Sequence, residues 1–327
     1  MEKFKEVWLG YTESQGSPAL RAEISRIYES IHPEEILVHS GAEEAIMNFM
    51  LAMLTENDHI IVHFPCYQSL SEVAKGLGCQ VTQWRAREEL GWSLDLDELR
   101  RIVRPATRAV IVNIPHNPTG FLMPKEDFLE LHRFVQDRGM LLFFDEVYRE
   151  SELDPANRLP AACDQGEHAI SLGVTSKTYG LPGLRIGWIA TKNTEVYNRM
   201  AALKDYTTIC NAAPSEFLAE LALRHRQELA KRNLDIIRAN LTVLDGVMDR
   251  WRDWFTWVRP RAGSIAYPKL MKGTVEEFCD ELVRRTGVLL LPGTLFDDPT
   301  NHFRLGFGRT NLSQAVARLD QYLTQSQ

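Results

Sequence analysis

The stretch richest in chemically useful groups surrounds a lysine that follows a predicted strand. Lys177 is preceded by Ser176, and Arg185 lies eight positions further along the chain. A lysine amine is a nucleophile and an acid/base group, although its ordinary pKa of ~10.4 leaves it mostly charged at neutral pH. Arginine can hold an anion with two parallel hydrogen bonds. The alternative interpretation is a solvated lysine among glycines that only form turns.

A carboxylate follows one of the most apolar runs of the chain. Asp145 comes directly after Leu141–Phe144, and Tyr148 lies three residues later. An unpaired carboxylate beside a buried strand is costly, so Asp145 should have a cationic partner. The alternative is a helix N-cap, which an aspartate after a strand often forms.

Two further segments offer groups that bind anions. Gly41, Ala42 and Glu43 begin the amphipathic stretch Ala42–Leu54, where free N–H groups and the positive helix end favour an anion. Arg304 lies in a predicted strand and could hold a carboxylate, with a structural salt bridge as the alternative.

Short apolar runs alternate with amphipathic stretches such as Lys125–Arg138, which predicts strands and helices in turn. This alternation favours the α/β class, with a mostly parallel sheet between two layers of helices. Ligands bind such sheets at the carboxyl ends of the strands. The chemistry is therefore expected in the loops after Phe64, Ile114, Phe144 and Gly173. The predicted strands are His59–Phe64, Gln80–Trp84, Ala109–Ile114, Met140–Phe144, Ala169–Gly173 and Arg185–Ala190.

The pattern changes after Pro214, where a long helical stretch extends from Ser215 to about Trp251. Strand-like pieces and two amphipathic helices follow, which predicts a smaller α+β C-terminal domain. We predict an N-terminal segment at residues 1–10, a large domain at 11–238 and a small domain at 239–327. The predicted pieces of the small domain are Phe255–Val258, Ser264–Pro268, Val275–Arg285, Val288–Leu291, His302–Phe307 and a helical stripe from Leu312 to Leu323.

Composition excludes several classes of protein. The 327 residues are 44% hydrophobic and 25% charged with a net charge of −7, so neither disorder nor a basic nucleic-acid-binding face is expected. No apolar run is long enough for a transmembrane helix, and Met1–Gly10 lacks the apolar core of a secretory signal. Five widely spaced cysteines are typical of reduced thiols in the cytoplasm. His59 and His63 flank a buried strand without a third ligand, so no metal site is predicted.

The full string from Ser176 to Gly187 resembles the cofactor-lysine signature of class I and II aminotransferases that depend on pyridoxal phosphate (fold type I, the aspartate aminotransferase superfamily). Five other motifs agree in chain order, and the resemblance extends from about Trp8 to the C-terminus. These motifs are Ser40–Glu44, Pro65–Tyr67, His116–Gly120, Asp145–Tyr148 and Phe303–Leu305.

The resemblance implies a three-layer αβα fold, the cofactor pyridoxal 5′-phosphate and a role for each matching residue. Lys177 would form a Schiff base with the cofactor and then move the substrate's α-proton. Asp145 would keep the pyridine nitrogen protonated. Asn117 and Tyr148 would hydrogen-bond the 3′ oxygen, although Asn-Pro-Thr-Gly is also an ordinary turn sequence. Tyr67 would stack on the ring, where packing is the alternative.

The resemblance also implies phosphate and carboxylate contacts. Arg304 and Asn117 would bind the substrate carboxylate. Val174 departs from the family pattern, which often has a hydroxyl residue there, so Thr175 or Ser176 must compensate. The phosphate would be held by Gly41, Ala42, Glu43, Ser176 and Arg185.

Tyr11 resembles a tyrosine that reaches the cofactor phosphate of a neighbouring subunit, which implies a homodimer with composite active sites. The loop Tyr206–Asn211 is expected near the same site. A sizeable N-terminal portion of the usual family chain is absent before Glu2, which could change how the site closes.

The implied function is transfer of an amino group from an L-amino acid to a 2-oxo acid. An alternative is another reaction with the same cofactor, namely β- or γ-elimination, cyclisation or oxidation, because fold and cofactor do not determine the reaction. A non-catalytic sensor is disfavoured because Lys177 is retained. The substrate side chain stays open: Tyr11, Tyr67, Trp188 and Tyr206 would suit an apolar, aromatic or cationic one.

Overall fold

The computed structural model describes residues 2–326. Met1 is the first residue of the predicted N-terminal segment, and Gln327 is the last residue of the predicted small domain. Both lie outside the described residues. No helix among the described residues is long and apolar enough to cross a membrane.

Seven strands form one mostly parallel sheet, in the order β1-β7-β6-β5-β4-β2-β3. Strands β3, β2, β4, β5 and β6 are parallel, whereas β7 is antiparallel to both of its neighbours, β6 and β1. The fold class predicted from the sequence is thus confirmed. The strands are β1 (Ile36–His39), β2 (His59–Phe64), β3 (Gln80–Arg85), β4 (Thr107–Asn113), β5 (Leu141–Asp145), β6 (Ala169–Val174) and β7 (Gly187–Ala190).

Helices cover both faces of this sheet because its strands are apolar on both sides. Ile60, Ile111 and Phe143 point to one face, and their neighbours along each strand point to the other. Helices α3, α4 and α7 pack on the first face, and α2, α5, α6 and α8 pack on the second. The helices are α1 (Glu2–Lys5), α2 (Pro18–Ser25), α3 (Ala42–Met53), α4 (Ser69–Gly76), α5 (Leu96–Ile102), α6 (Lys125–Asp137), α7 (Thr194–Lys204), α8 (Ala213–Arg224) and α9 (Arg226–Arg250).

A separate apolar core lies in the C-terminal part, where the end of α9 packs with two later helices and with short strands. Helix α9 spans the predicted domain boundary at residue 238, and that boundary stays a prediction. The remaining elements are β8 (Phe255–Thr256), β9 (Ile265–Ala266), β10 (Lys269–Leu270), α10 (Val275–Thr286), β11 (Leu291–Pro292), β12 (Phe303–Gly306) and α11 (Leu312–Gln325).

The elements differ from the sequence-based predictions in three respects. Strand β1 was not predicted, since four apolar residues carry too short a pattern. The long helical stretch after Pro214 is two helices, α8 and α9, which meet at His225. Most small-domain strands are shorter than predicted, because only part of each apolar run pairs with a neighbouring strand.

Candidate active site

Six segments that the sequence singled out lie at one edge of the sheet. The carboxyl ends of the parallel strands β1, β2, β4, β5 and β6 share this edge, and the antiparallel β7 begins there. The loops therefore converge although they are distant along the chain. In chain order these segments are Ser40–Glu43, Pro65–Tyr67, His116–Gly120, Asp145–Tyr148, Ser176–Lys177 and Arg185.

Lys177, Asp145 and Tyr148 form the centre of the site. Asp145 is 4% exposed, and burial raises the pKa of its carboxyl to about 7, opposed by the N–H of Val147 and by the charge of Lys177. Lys177 projects into an open cavity with its Nζ 5.8 Å from the Tyr148 ring centroid. Partial desolvation lowers the pKa of the Lys177 amine, and the charge of Asp145 opposes that shift. The amine is thereby closer to the neutral form that accepts a proton.

A chain of hydrogen bonds joins the asparagine loop to Asp145. Asn113, at the end of β4, donates from Nδ2 to the Asp145 carbonyl, and its Oδ1 accepts from the Asn117 N–H. The Nη1 of Arg304 lies 3.5 Å from the Oδ1 of Asn117. The loop is thus fixed relative to β5, and Arg304 is adjacent to it. Sequence reasoning missed Asn113; its signal was an amide at the end of an apolar strand.

Arg304 has no carboxylate partner among residues 2–326, which disfavours the structural salt bridge as its role. Its guanidinium lies over the ring of Phe296 and faces the cavity that Lys177 also lines. A planar cation in that position can take a carboxylate with two hydrogen bonds.

The N-terminus of α3 and Arg185 together form a small anion cradle. Gly41 is the N-cap of α3 with φ +89°, and no side chain caps the helix, so the N–H groups of Ala42 and Glu43 stay free. The N–H of Gly41 itself donates to the His39 carbonyl, so Gly41 does not offer the phosphate the contact that the sequence predicted. A Cβ on Gly41 would lie 2.4 Å from Nη2 of Arg185, and one on Gly187 would lie 2.6 Å from the backbone N of Ala42. Glycine is therefore required at both positions, because the guanidinium and β7 approach the helix so closely.

The structure distinguishes between Thr175 and Ser176 as the source of the hydroxyl that Val174 lacks. Thr175 is fully buried and donates its hydroxyl to the carbonyls of Ile186 and Leu181. The Ser176 Oγ is also buried, but it has no hydrogen-bond partner within the described chain. Ser176 is consequently the residue with a free hydroxyl to offer a phosphate.

The remaining predicted residues lie at the rim of the site. Tyr67 is 40% exposed, and burial together with the nearby carboxylate of Glu43 raises its pKa. The Glu43 side chain points outward to the Ser69 hydroxyl, so only its backbone N–H is oriented as predicted. Tyr11 is 78% exposed and far from being packed within its own chain.

The residues present fit pyridoxal 5′-phosphate. The free helix N–H groups, the unpartnered Ser176 hydroxyl and Arg185 suit a phosphate dianion. The buried Asp145 suits a protonated ring nitrogen, and an amine with a lowered pKa suits an aldehyde.

Among the described residues no group of three or more His, Cys, Asp or Glu side chains could hold a metal ion.

Comparisons with known proteins agree with this geometry. The family described as "Aminotransferase class I and II" matches residues 3–319. A solved structure of a PLP-dependent aminotransferase from Streptococcus suis 89-1591 is 34% identical with a TM-score of 0.93, covering 99% of this chain and 86% of that one. The structure of the PLP-dependent cyclase OrfR is 31% identical with a TM-score of 0.91, covering 100% and 87%. The capreomycidine synthase of Streptomyces vinaceus is 29% identical, covering 95% of this chain and 80% of its own.

Proposed function

Because the chain belongs to the class I and II aminotransferases, we propose that it transfers an amino group from an L-amino acid to a 2-oxo acid with pyridoxal 5′-phosphate as its cofactor. The observation that carries this proposal is the meeting of Lys177 and Arg304 in one cavity beside the buried Asp145. An amine whose pKa is lowered, a cation free to bind a carboxylate and a buried carboxylate are three groups that amino transfer uses.

In this proposal each group of residues holds one part of the cofactor. Asp145 pairs with the ring nitrogen, Asn117 and Tyr148 hydrogen-bond the 3′ oxygen, and Tyr67 stacks on the ring. When bound, pyridoxal 5′-phosphate supplies an electron sink for the pair that remains on the substrate α-carbon after its proton leaves. The phosphate contacts are the backbone N–H groups of Ala42 and Glu43, the Ser176 hydroxyl, Arg185 and the partner subunit's Tyr11.

Lys177 carries the proton. Partial desolvation lowers the pKa of its Nζ, which favours the neutral form, and that form accepts the proton from the substrate α-carbon. Arg304 and Asn117 hold the substrate carboxylate and so fix that carbon relative to the amine. A 2-oxo acid binds through the same carboxylate contacts, and the proton then moves in the opposite direction. The two half-reactions share one site, so we expect ping-pong kinetics.

We expect Arg304→Ala to raise KM for every amino acid and 2-oxo acid by about 10- to 100-fold, because a charge-assisted hydrogen-bonded pair contributes about 1.5–3 kcal/mol. Steady-state kinetics with at least three substrates measure the change. Arg252→Ala is the matched control, since Arg252 is exposed and bonds only to a helix carbonyl. An unchanged KM in Arg304→Ala would move the carboxylate site elsewhere.

A second candidate function is cyclisation with the same cofactor, favoured by the similarity to the PLP-dependent cyclase OrfR. The two reactions differ in their products, because only amino transfer leaves the nitrogen on the protein's cofactor and releases a 2-oxo acid. Detection of the 2-oxo acid after a single turnover therefore discriminates between them.

We also propose a homodimer in which Tyr11 reaches the neighbouring site. Trp8, Leu9 and Tyr11 are 73–79% exposed, and Tyr206 is 88% exposed, so large apolar side chains are uncovered in the two segments predicted near the shared site. Sedimentation velocity should find a dimer at micromolar concentration.

In that dimer Tyr11→Phe should weaken cofactor binding by about fivefold through loss of one hydrogen bond, without dissociating the subunits. Tyr322→Phe, in the C-terminal core, is the control and should leave cofactor affinity unchanged. A monomer with full activity would contradict the composite site.

Two further proposals concern the cellular location of the protein and its domain boundary. We propose that the protein works in the cytoplasm, which the five unpaired cysteines favour. We also propose that the large and small domains divide at residue 238, beside Ile237, the first residue of the separate C-terminal core.

A further inference from the structure

The cavity that contains Lys177 and Arg304 continues well beyond them. Its volume is about 840 Å³, toward the upper end of ordinary ligand pockets. Among the described residues, Tyr148, Ser176 and Lys177 line it whereas Asp145 and Arg185 do not, so the cavity extends beyond the cofactor contacts proposed above. The extension, here called the apolar groove, is lined by Leu291, Gly306, Leu312, Val316 and Leu319.

The groove begins beside the carboxylate-binding position. Gly306 is two residues after Arg304 on β12, so both face the same side of the strand. With a substrate's carboxylate on Arg304 and its α-carbon near Lys177, the remaining large substituent on that carbon needs space. The groove adjoins both residues and offers that space.

The chemistry of the groove disfavours a cationic side chain. Its walls are mostly leucine and valine, and the described residues of the whole cavity include no aspartate or glutamate. A cationic side chain would therefore lose its hydration without gaining a counter-charge. Arg309 and Arg318 also line the cavity, and Arg318 already donates to the Thr286 carbonyl.

From these observations, and resting on the amino-transfer function, we propose that the apolar groove binds the side chain of a long aliphatic amino acid and of its 2-oxo acid. Each methylene that enters the groove should raise kcat/KM about fourfold. The substrate class is thus narrowed from the apolar, aromatic or cationic side chains that the sequence left open.

The test compares alanine, 2-aminobutyrate, norleucine, 2-aminooctanoate, lysine and 2-aminoadipate as amino donors. The proposal predicts a rise in kcat/KM from alanine to 2-aminooctanoate, with lysine at least tenfold below norleucine because the cavity offers a cation no counter-charge, and with 2-aminoadipate no better than norleucine. A flat aliphatic series, or a preference for lysine or 2-aminoadipate, would overturn it. If no amino acid donates its amino group, the proposed function fails rather than the groove.

A variant that narrows the groove makes the test specific. A Cβ on Gly306 would meet no atom within 4 Å and would point to the Arg304 side of β12, so we expect Gly306→Phe to place its ring in the groove. It should lower kcat/KM for 2-aminooctanoate at least tenfold and change that for alanine less than threefold. Gly246→Phe, at another open glycine on the exposed side of α9, is the matched control and should change neither.

Binding measured without turnover gives an independent readout. Calorimetry with octanoate and acetate should show tighter binding of octanoate to the wild-type holoenzyme, and Gly306→Phe should remove that difference. Equal affinities of the wild-type protein for the two acids would overturn the proposal.

Discussion

Lys177→Ala should reduce amino transfer by about 10⁴-fold, since one substitution removes both the covalent attachment and the general acid/base, and acid/base catalysis alone contributes up to that amount. The visible absorption band of lysine-bound cofactor should disappear. Borohydride reduction, which traps the cofactor on wild-type Lys177, should leave no mass increase on the corresponding peptide of the variant.

Lys231→Ala is the control for this experiment, because the Lys231 side chain is 78% exposed on α9 and pairs only with Asp235. It should retain the band, the trapped peptide and the activity. Covalent trapping on another peptide in Lys177→Ala would show that a different lysine holds the cofactor.

Asp145→Asn should still bind the cofactor but lower kcat by roughly 10²- to 10³-fold. A buried charge pair that loses one partner loses about 3–5 kcal/mol, and here the loss falls on the ring charge that draws electrons from the substrate. Single-turnover kinetics with saturating cofactor measure the effect. Asp137→Asn, at the exposed end of α6, is the control. Unchanged turnover in Asp145→Asn would refute the electronic role of Asp145.

The Asp145 carboxyl should also make the stability of the cofactor-free protein depend on pH. The folded-state pKa of about 7 is above the ordinary value near 3.9, so this contribution to stability is complete below about pH 4 and is lost as pH rises to about 7. Between pH 5 and pH 8 the wild-type free energy of unfolding should fall by roughly 3 kcal/mol on this account. Asparagine does not titrate, so urea unfolding of Asp145→Asn should lack that loss. An equal loss in both proteins would show that Asp145 is not buried without a partner.

The elements that position the site could largely be predicted from sequence, because they carry strong local patterns. Strand β2 has the predicted bounds, and α3 and α6 end within one residue of them. Each is apolar at a spacing that matches its period. Strand β1 escaped prediction because its four residues become a strand only through pairing with β7, a contact with residues about 150 positions away.

The residues of the site also divide into those predictable from local sequence and those that depend on the folded chain. The motif residues were predictable, since their types and order are unusual for packing alone. The choice between Thr175 and Ser176 was not, because it depends on Thr175 turning inward to the Ile186 carbonyl. The apolar groove was also not predictable, because Leu291, Gly306 and Leu312 belong to three elements and come together only after the chain folds.

The most direct test of amino transfer is a spectral titration of the protein loaded with pyridoxal 5′-phosphate. We predict that an amino acid removes the absorption band of lysine-bound cofactor, that a 2-oxo acid restores it, and that no ammonia is released in the cycle. A band that does not return with a 2-oxo acid, or ammonia released in proportion to the amino acid consumed, would contradict amino transfer as the function of this protein.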